Sequence, residues 1–267
     1  MSHIFSLTPL HKAVIDDNLK EIQFLKGKYQ ECCDDLGFTP RELAQLLNRP
    51  QCLELLYPQK PISFLVQLKD SSTLNTMNVA EFENRFNIEY APFLTFESYA
   101  LLREVIDQCP YILRNSWIAA DNFTYTKQFR KQLDETVLAK VSIRWVSDDV
   151  GYGLFAEQNM VKGDFIGEYT GELRMLSRWR SDQNGYCLHY HTKWWSLNYY
   201  VIDAMLLGNL MRFINHSDFP NIQPLCAVDR GLQRQIFIAR NPILKGTQLT
   251  INYGADYWTK RQKITMP

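Results

Sequence analysis

No run of apolar residues in this chain approaches the roughly 20 that a membrane-spanning helix needs. The first ten residues, Met1 to Leu10, carry no basic stretch leading into an apolar one, so no secretory signal is visible either. A net charge is also lacking, because 29 basic side chains are balanced by 29 acidic ones. That balance removes the long-range attraction on which nucleic-acid and anionic-membrane binding relies, and neither partner is expected. The six cysteines, at 32, 33, 52, 109, 187 and 226, form no Cys-x-x-Cys pair and no disulfide framework. Reduced thiols in a nuclear or cytoplasmic setting are the simplest consequence. What is there is an ordinary globular composition, 46% hydrophobic, on a chain with room for two modest domains or for one with an appendage.

Residues 1–60 read as short helical pairs. Thr8-Pro9-Leu10-His11-Lys12-Ala13 resembles the ankyrin phrase Thr-Pro-Leu-His-x-Ala, and Phe38-Thr39-Pro40-Arg41-Glu42-Leu43-Ala44 echoes it at a spacing of 31 residues, close to the ankyrin period of about 33. Threonine caps a helix well, and proline suits its first position, where no amide donor is needed. Asp34 to Phe38 supplies a turn in which Gly37 is free to take positive φ. Leu19, Ile22, Phe24 and Leu25 offer an apolar face for a second helix. Two such repeats do not bury a continuous face alone, so they are expected to pack on the remainder of the chain. A plain helical cap is the alternative.

Residues 61–137 read as a helical connector. Asn78 with Glu81 marks a helix start. Tyr99, Leu101, Leu102, Val105 and Ile106 form a helix ended by Pro110, and another runs near Phe123 to Leu133. From 138 to 267 the pattern becomes β-rich, beginning with the alternation of Val141 to Val146. The expectation is an α+β fold in three parts: 1–60, 61–137 and 138–267.

Four segments of the last part carry chemistry. They are 149–156, with the turn Gly151-Tyr152-Gly153; 163–172, with Glu168-Tyr169-Thr170-Gly171-Glu172; Val201-Ile202-Asp203-Ala204 with Gly208-Asn209, Arg212-Phe213-Ile214-Asn215-His216-Ser217 and Pro220-Asn221; and 246–258, with Leu249-Thr250-Ile251-Asn252-Tyr253-Gly254 and Tyr257-Trp258. In this order they resemble the SET-domain lysine methyltransferases. The resemblance implies small curved β-sheets around a knot-like C-terminal arrangement, with cofactor and peptide on opposite faces joined by a narrow channel. It implies S-adenosyl-L-methionine as cofactor and a protein lysine as substrate, in a histone tail or another protein. Tyr253 matches the catalytic tyrosine. Gly151, Tyr152, Gly153, Tyr186, Arg212, Phe213, Asn215, His216 and Tyr253 match the cofactor pocket, with Trp258, or else Tyr257, stacking on adenine. Tyr169, Tyr186, Tyr200 and Ile251 are expected to line the lysine channel.

The chain departs from the family pattern at three points. Asn252 replaces a frequent aspartate. Ile251 stands where an aromatic residue often tunes the number of methyl groups, so that number stays open. No cysteine-rich cluster precedes or follows the motifs, and Lys260 to Pro267 or the N-terminal helices are expected to close the channel instead. Cys187, His189 and His191 alternate at strand period, but no fourth ligand or further support for a metal site is apparent, and none is expected. Arg174, Arg178 and Arg180 read as a solvated face. The leading function is lysine methylation with substrate recruited by the ankyrin-like repeats. The alternative is an ankyrin adaptor whose SET module has become a binding scaffold. A nuclear or cytoplasmic protein fits, as does a bacterial one delivered into a eukaryotic host.

Overall fold

The computed structural model describes residues 7–58, 61–114, 120–176, 184–193 and 198–259. The expectations for Arg178, Arg180 and the segment 260–267 lie outside the described residues.

The chain opens with two helical pairs, α1 (Pro9–Ile15) with α2 (Leu19–Leu25), then α3 (Pro40–Leu46) with α4 (Pro50–Leu56). Thr8 and Thr39 cap α1 and α3, each accepting from the backbone amide three residues on, with proline at the first helical position. His11 completes the first capping box and reaches on with Nε2 to the Phe38 carbonyl oxygen at 3.0 Å, tying one pair to the next. Ile22 and Leu25 are buried in α2, whereas Phe24 is 77% exposed, so the expected four-residue apolar face is narrower. As expected, these helices do not close on themselves. Leu10, Phe38 and Leu43 share one core with Leu94, Phe96, Leu102, Tyr200 and Ile202 from the rest of the chain.

Residues 61–137 contain β1 (Ser63–Gln67), β2 (Asn75–Asn78), α5 (Val79–Phe86), β3 (Glu89–Tyr90), β4 (Thr95–Phe96), α6 (Tyr99–Asp107), α7 (Tyr111–Arg114), α8 (Ala120–Gln128) and α9 (Arg130–Asp134). The expected helix starts and stops hold here: Asn78 and Glu81 form a capping box on α5, and α6 ends before Pro110. A purely helical connector does not. Its strands are built into the β-rich part, whose own strands are β5 (Val141–Ser147), β6 (Gly151–Ala156), β7 (Phe165–Glu168), β8 (Gly171–Leu176), β9 (Cys187–Tyr190), β10 (Tyr199–Gly208), β11 (Asn215–His216), β12 (Ile222–Asp229), β13 (Leu232–Ala239) and β14 (Thr250–Ile251), followed by α10 (Ala255–Trp258). One sheet runs β2-β1-β5-β6, with β1 parallel to β5; another runs β3-β10-β8-β4, with β9 also on β10. A third is β12-β13-β7, and β11 pairs with β14 in parallel. Of the connector strands, β3 and β4 are two residues long, too short to show a period, whereas β1 does alternate in burial and was missed.

The helical layer is keyed to the sheets by Arg230. It sits at φ 51° in the turn between β12 and β13, with Gly231 beside it at φ 83°. Its guanidinium lies 4.1 Å from the Phe38 ring centroid and donates to the Gly37 carbonyl, to Glu42 at 2.6 Å and to Asp229 at 2.8 Å. Burial alone would raise both carboxyls, but Arg230, helped by Thr39 at one and Arg130 at the other, outweighs it and holds Glu42 and Asp229 below the usual carboxylate range. Both therefore stabilise the fold above the unfolded-state value of roughly 4, and that contribution is lost as pH falls through the folded values. Arg230→Met is expected to reduce the unfolding free energy by about 3 kcal/mol and to flatten this acid dependence. Urea denaturation at neutral and acid pH reads both; an unchanged midpoint would mean the helices hold without the key.

Candidate active site

The parallel pairing of β11 with β14 sets Asn215 beside Thr250 and His216 beside Ile251. Two segments more than thirty residues apart thereby become one site. Tyr253 donates its backbone N–H to His216 Nδ1 at 3.2 Å, and its hydroxyl donates to the Ile214 carbonyl oxygen at 2.8 Å. His216 Nδ1 is therefore an acceptor. Its Nε2 stands 3.3 Å from Asp218 Oδ1, within ion-pair reach but without hydrogen-bond geometry. The β14 end turns into α10 through Asn252, whose Oδ1 accepts the Gly254 N–H at 2.8 Å, with Gly254 at φ 84°. An asparagine side chain makes this Asx turn as well as an aspartate does, which accounts for the departure at 252. The turn brings Tyr257 and Trp258 back onto the site. The Trp258 ring lies nearly parallel to Tyr253 at 6.1 Å and edge-on to His216 at 4.9 Å.

A cavity of about 650 Å³ opens over this cluster, a size usual for small-molecule sites. Its walls include the expected Gly151, Tyr152, Tyr169, Tyr186, Arg212, Phe213, Asn215, His216, Ile251, Tyr253 and Trp258. Gly153 stands just behind, and the two glycines are needed for different reasons. Gly151 is at φ 76°, whereas a Cβ on Gly153 would fall 2.5 Å from Gln248 Nε2 and 3.0 Å from Asn215 Nδ2. Asn215 uses that same amide to donate to the Tyr152 carbonyl oxygen at 3.1 Å.

At the other end, Tyr169 donates to the Tyr186 carbonyl oxygen at 2.7 Å and packs edge-on against Phe237. Arg212 lies 3.9 Å over the Tyr186 ring and donates to the carbonyl oxygens of Ala204 at 2.7 Å and Met205 at 3.2 Å. Burial lowers its pKa below the ordinary arginine value. Burial also pushes the Tyr169 and Tyr253 phenols well above their usual range, so both keep their protons at neutral pH.

Tyr200 is not brought to this cavity. It is buried in the core shared with the helices, and its hydroxyl donates to Glu104 at 2.7 Å. Sequence reasoning missed Phe86 of α5, which lines the cavity and packs on Phe213 and Tyr152 at 5.0 and 5.1 Å. The only signal was its i, i+4 spacing from the buried Phe82. Phe237 and Leu188 were missed as well. The His189 and His191 rings meet edge-on at 5.0 Å, but among the described residues no group of three His, Cys, Asp or Glu side chains is placed to hold a metal.

Residues 151–254 match the family model described as the SET domain. Among the chain's relatives, the histone-lysine N-methyltransferase ash1 of Drosophila melanogaster is 33% identical over 118 residues, 41% of this chain and 5% of that protein. Mouse histone-lysine N-methyltransferase EHMT1 is 32% identical over 125 residues, 44% of this chain and 9% of that protein. The chain thus spans only a small part of the length of these relatives. A solved structure described as KRYPTONITE in complex with mCHH DNA, an H3(1-15) peptide and SAH is 26% identical over 43% of this chain and 24% of its own, with a TM-score of 0.36. No helix among the described residues is long and apolar enough to cross a membrane.

The residues of this cavity fit an adenosyl cofactor. On the cavity wall, Trp258 Nε1 is a buried donor without a protein partner, and a buried donor calls for an acceptor. The rings of Tyr253 and Tyr257 give an apolar wall beside it.

Proposed function

We propose that this protein transfers a methyl group from S-adenosyl-L-methionine to the ε-amine of a protein lysine, with histone tails as the leading substrate class. The observation that carries this reading is the β11–β14 pairing, which sets Tyr253 between a glycine- and asparagine-lined end and an aromatic end of one cavity. Gly151, Tyr152, Gly153, Asn215, His216 and Trp258 would hold the cofactor, with Arg212 and Phe213 on the same cavity wall; Tyr169, Tyr186 and Ile251 would wall the lysine channel.

Bound S-adenosyl-L-methionine supplies a reactive sulfonium methyl, so no strong protein nucleophile is required. The chain's own task is orientation. The Tyr253 O–H donates a hydrogen bond to the Ile214 carbonyl oxygen, which leaves the phenol oxygen's lone pairs to accept from the incoming amine and methyl. With its pKa raised, Tyr253 acts as a fixed acceptor and not as a base. Free lysine has a pKa near 10.4, and the channel must neutralise it. Desolvation by Tyr169 and Tyr186 and the nearby Arg212 charge both favour the uncharged amine.

The N-terminal pairs are read as two ankyrin-like repeats that recruit substrate, supported by their Thr-Pro caps and the His11 link between them. The knot-like crossing belongs to the same reading, supported by the parallel strands at Asn215 and Thr250. Because β1 pairs with β5, the catalytic unit is read as 138–267 with 61–137 woven into it. A histone substrate would place the protein in the nucleus.

Mass spectrometry of histone peptides after incubation with the cofactor tests the substrate class: methyl groups on lysine ε-nitrogens support it, and methylation confined to other proteins or absent altogether rejects it. Trp258→Ala is expected to weaken cofactor binding roughly tenfold in calorimetry, the effect of losing one stacked aromatic wall of about 1.4 kcal/mol. Unchanged affinity would remove Trp258 from the pocket.

A further inference from the structure

Behind the channel wall lies an ion pair that takes no part in lining the cavity. Glu168 ends β7, and Tyr169 comes next in the chain; successive strand residues point to opposite faces, so the carboxylate lies behind the sheet when the tyrosine ring faces the cavity. Arg234 of β13 meets that carboxylate with two parallel bonds, Nε to Oε1 at 2.8 Å and Nη2 to Oε2. The same Nη2 donates to the Leu133 carbonyl oxygen at the end of α9, at 3.1 Å. The side chains are 6% and 15% exposed, glutamate first.

An ion pair so buried is a poor stability device, because desolvation of both charges offsets their attraction, and apolar replacement of both is often neutral. What the fork geometry does supply is direction. The neighbouring backbone is pinned as well: the Glu168 carbonyl accepts from Asn209 Nδ2 at 2.8 Å, and the Tyr169 N–H donates to the Gln235 carbonyl oxygen at 2.7 Å. Carboxylate, carbonyl and the Tyr169 amide are thus each held, and the ring of Tyr169 is aimed from this fixed base.

We propose that Glu168 and Arg234 are positioning residues for Tyr169, fixing the ring that walls the lysine channel and thereby the aim of the substrate amine. This rests on the methyltransferase reading for its catalytic consequence, but the ring geometry can be measured without it. Neither residue touches the cavity; both act through Tyr169.

The test replaces both charges together, Glu168→Met with Arg234→Met, so that no unpaired charge is left buried. Glu168→Gln and Arg234→Lys serve as single variants. Cofactor affinity and thermal midpoint of the double variant are expected to stay close to wild type, while kcat/KM for the peptide falls about tenfold or more, as misplacement of an aligned group does. Arg234→Lys, which keeps the charge and loses the fork, should fall nearly as far. Separately, fluorotyrosine NMR, with the Tyr169 signal assigned through Tyr169→Phe, should show the ring reorienting faster in the double variant. A folded double variant with wild-type turnover and an unchanged ring signal overturns the proposal. So does a parallel loss of cofactor affinity and midpoint, which would make the pair merely structural. If the wild type transfers no methyl group to any substrate, the functional reading fails, and the ring signal alone still decides the positioning.

Discussion

Tyr253→Phe is expected to lower the methyl-transfer rate roughly 100- to 1,000-fold, the usual cost of removing one aligned polar group at a transition state, while cofactor affinity stays near wild type. Phenylalanine keeps the ring that packs against His216, Tyr257 and Trp258 at 5.5, 4.5 and 6.1 Å. It removes only the oxygen held by the Ile214 carbonyl. The loss should therefore appear in kcat and not in binding. The pH profile separates the two roles a tyrosine can have. Because burial raises the Tyr253 phenol above its usual value, it stays protonated below about pH 10. The rate should rise with pH as the amine loses its proton, and Tyr253→Phe should scale the whole curve down without moving its midpoint. A midpoint that shifts with the mutation would make Tyr253 a base.

Gly153→Ala should raise the cofactor dissociation constant roughly tenfold or more and leave the fold in place. The added Cβ would meet Gln248 Nε2 at 2.5 Å, with Asn215 Nδ2 and Val146 Cγ2 each at 3.0 Å. All three are ends of side chains, which can move. The movement breaks the Asn215 bond to the Tyr152 carbonyl, on the floor of the pocket. Gly171→Ala is the contrasting control. There the Cβ would lie 2.4 Å from the Asp203 carbonyl oxygen, so backbone must separate between β8 and β10. Stability, and not only affinity, should fall. Calorimetric titration and a thermal melt on both variants distinguish the outcomes; a Gly153→Ala protein that binds normally would show that this glycine is not part of the pocket.

The site was more legible than the frame that holds it. Gly151, Asn215, His216 and Tyr253 fall in short motifs whose order and spacing carry information independent of periodicity. Their meeting in one cavity depends on a two-residue parallel ladder, which no sequence pattern announces. Tyr200 shows the limit of strand reasoning: Tyr199 and Tyr200 are adjacent, alternation sends them to opposite faces, and only the packing of α6 decides that Tyr200 goes into the core toward Glu104. Phe24 fails for a similar reason. It is apolar and lies in a helix, yet its position faces away from the buried Ile22 and Leu25. Residues 61–137 read as helical because α5 and α6 have recognisable starts and periods, whereas β3 and β4 are too short to have one. Their pairing with β10 and β8 comes from tertiary contact alone.

The central claim is methyl transfer at Tyr253. The most direct measurement is transfer of radiolabelled methyl from S-adenosyl-L-methionine to core histones and to a whole-cell lysate, with Tyr253→Phe alongside. Labelled protein bands with the wild type, lost with the mutant while its cofactor binding persists, are the predicted result. Cofactor binding with no label on any protein would contradict it and favour a SET module retained as a binding scaffold.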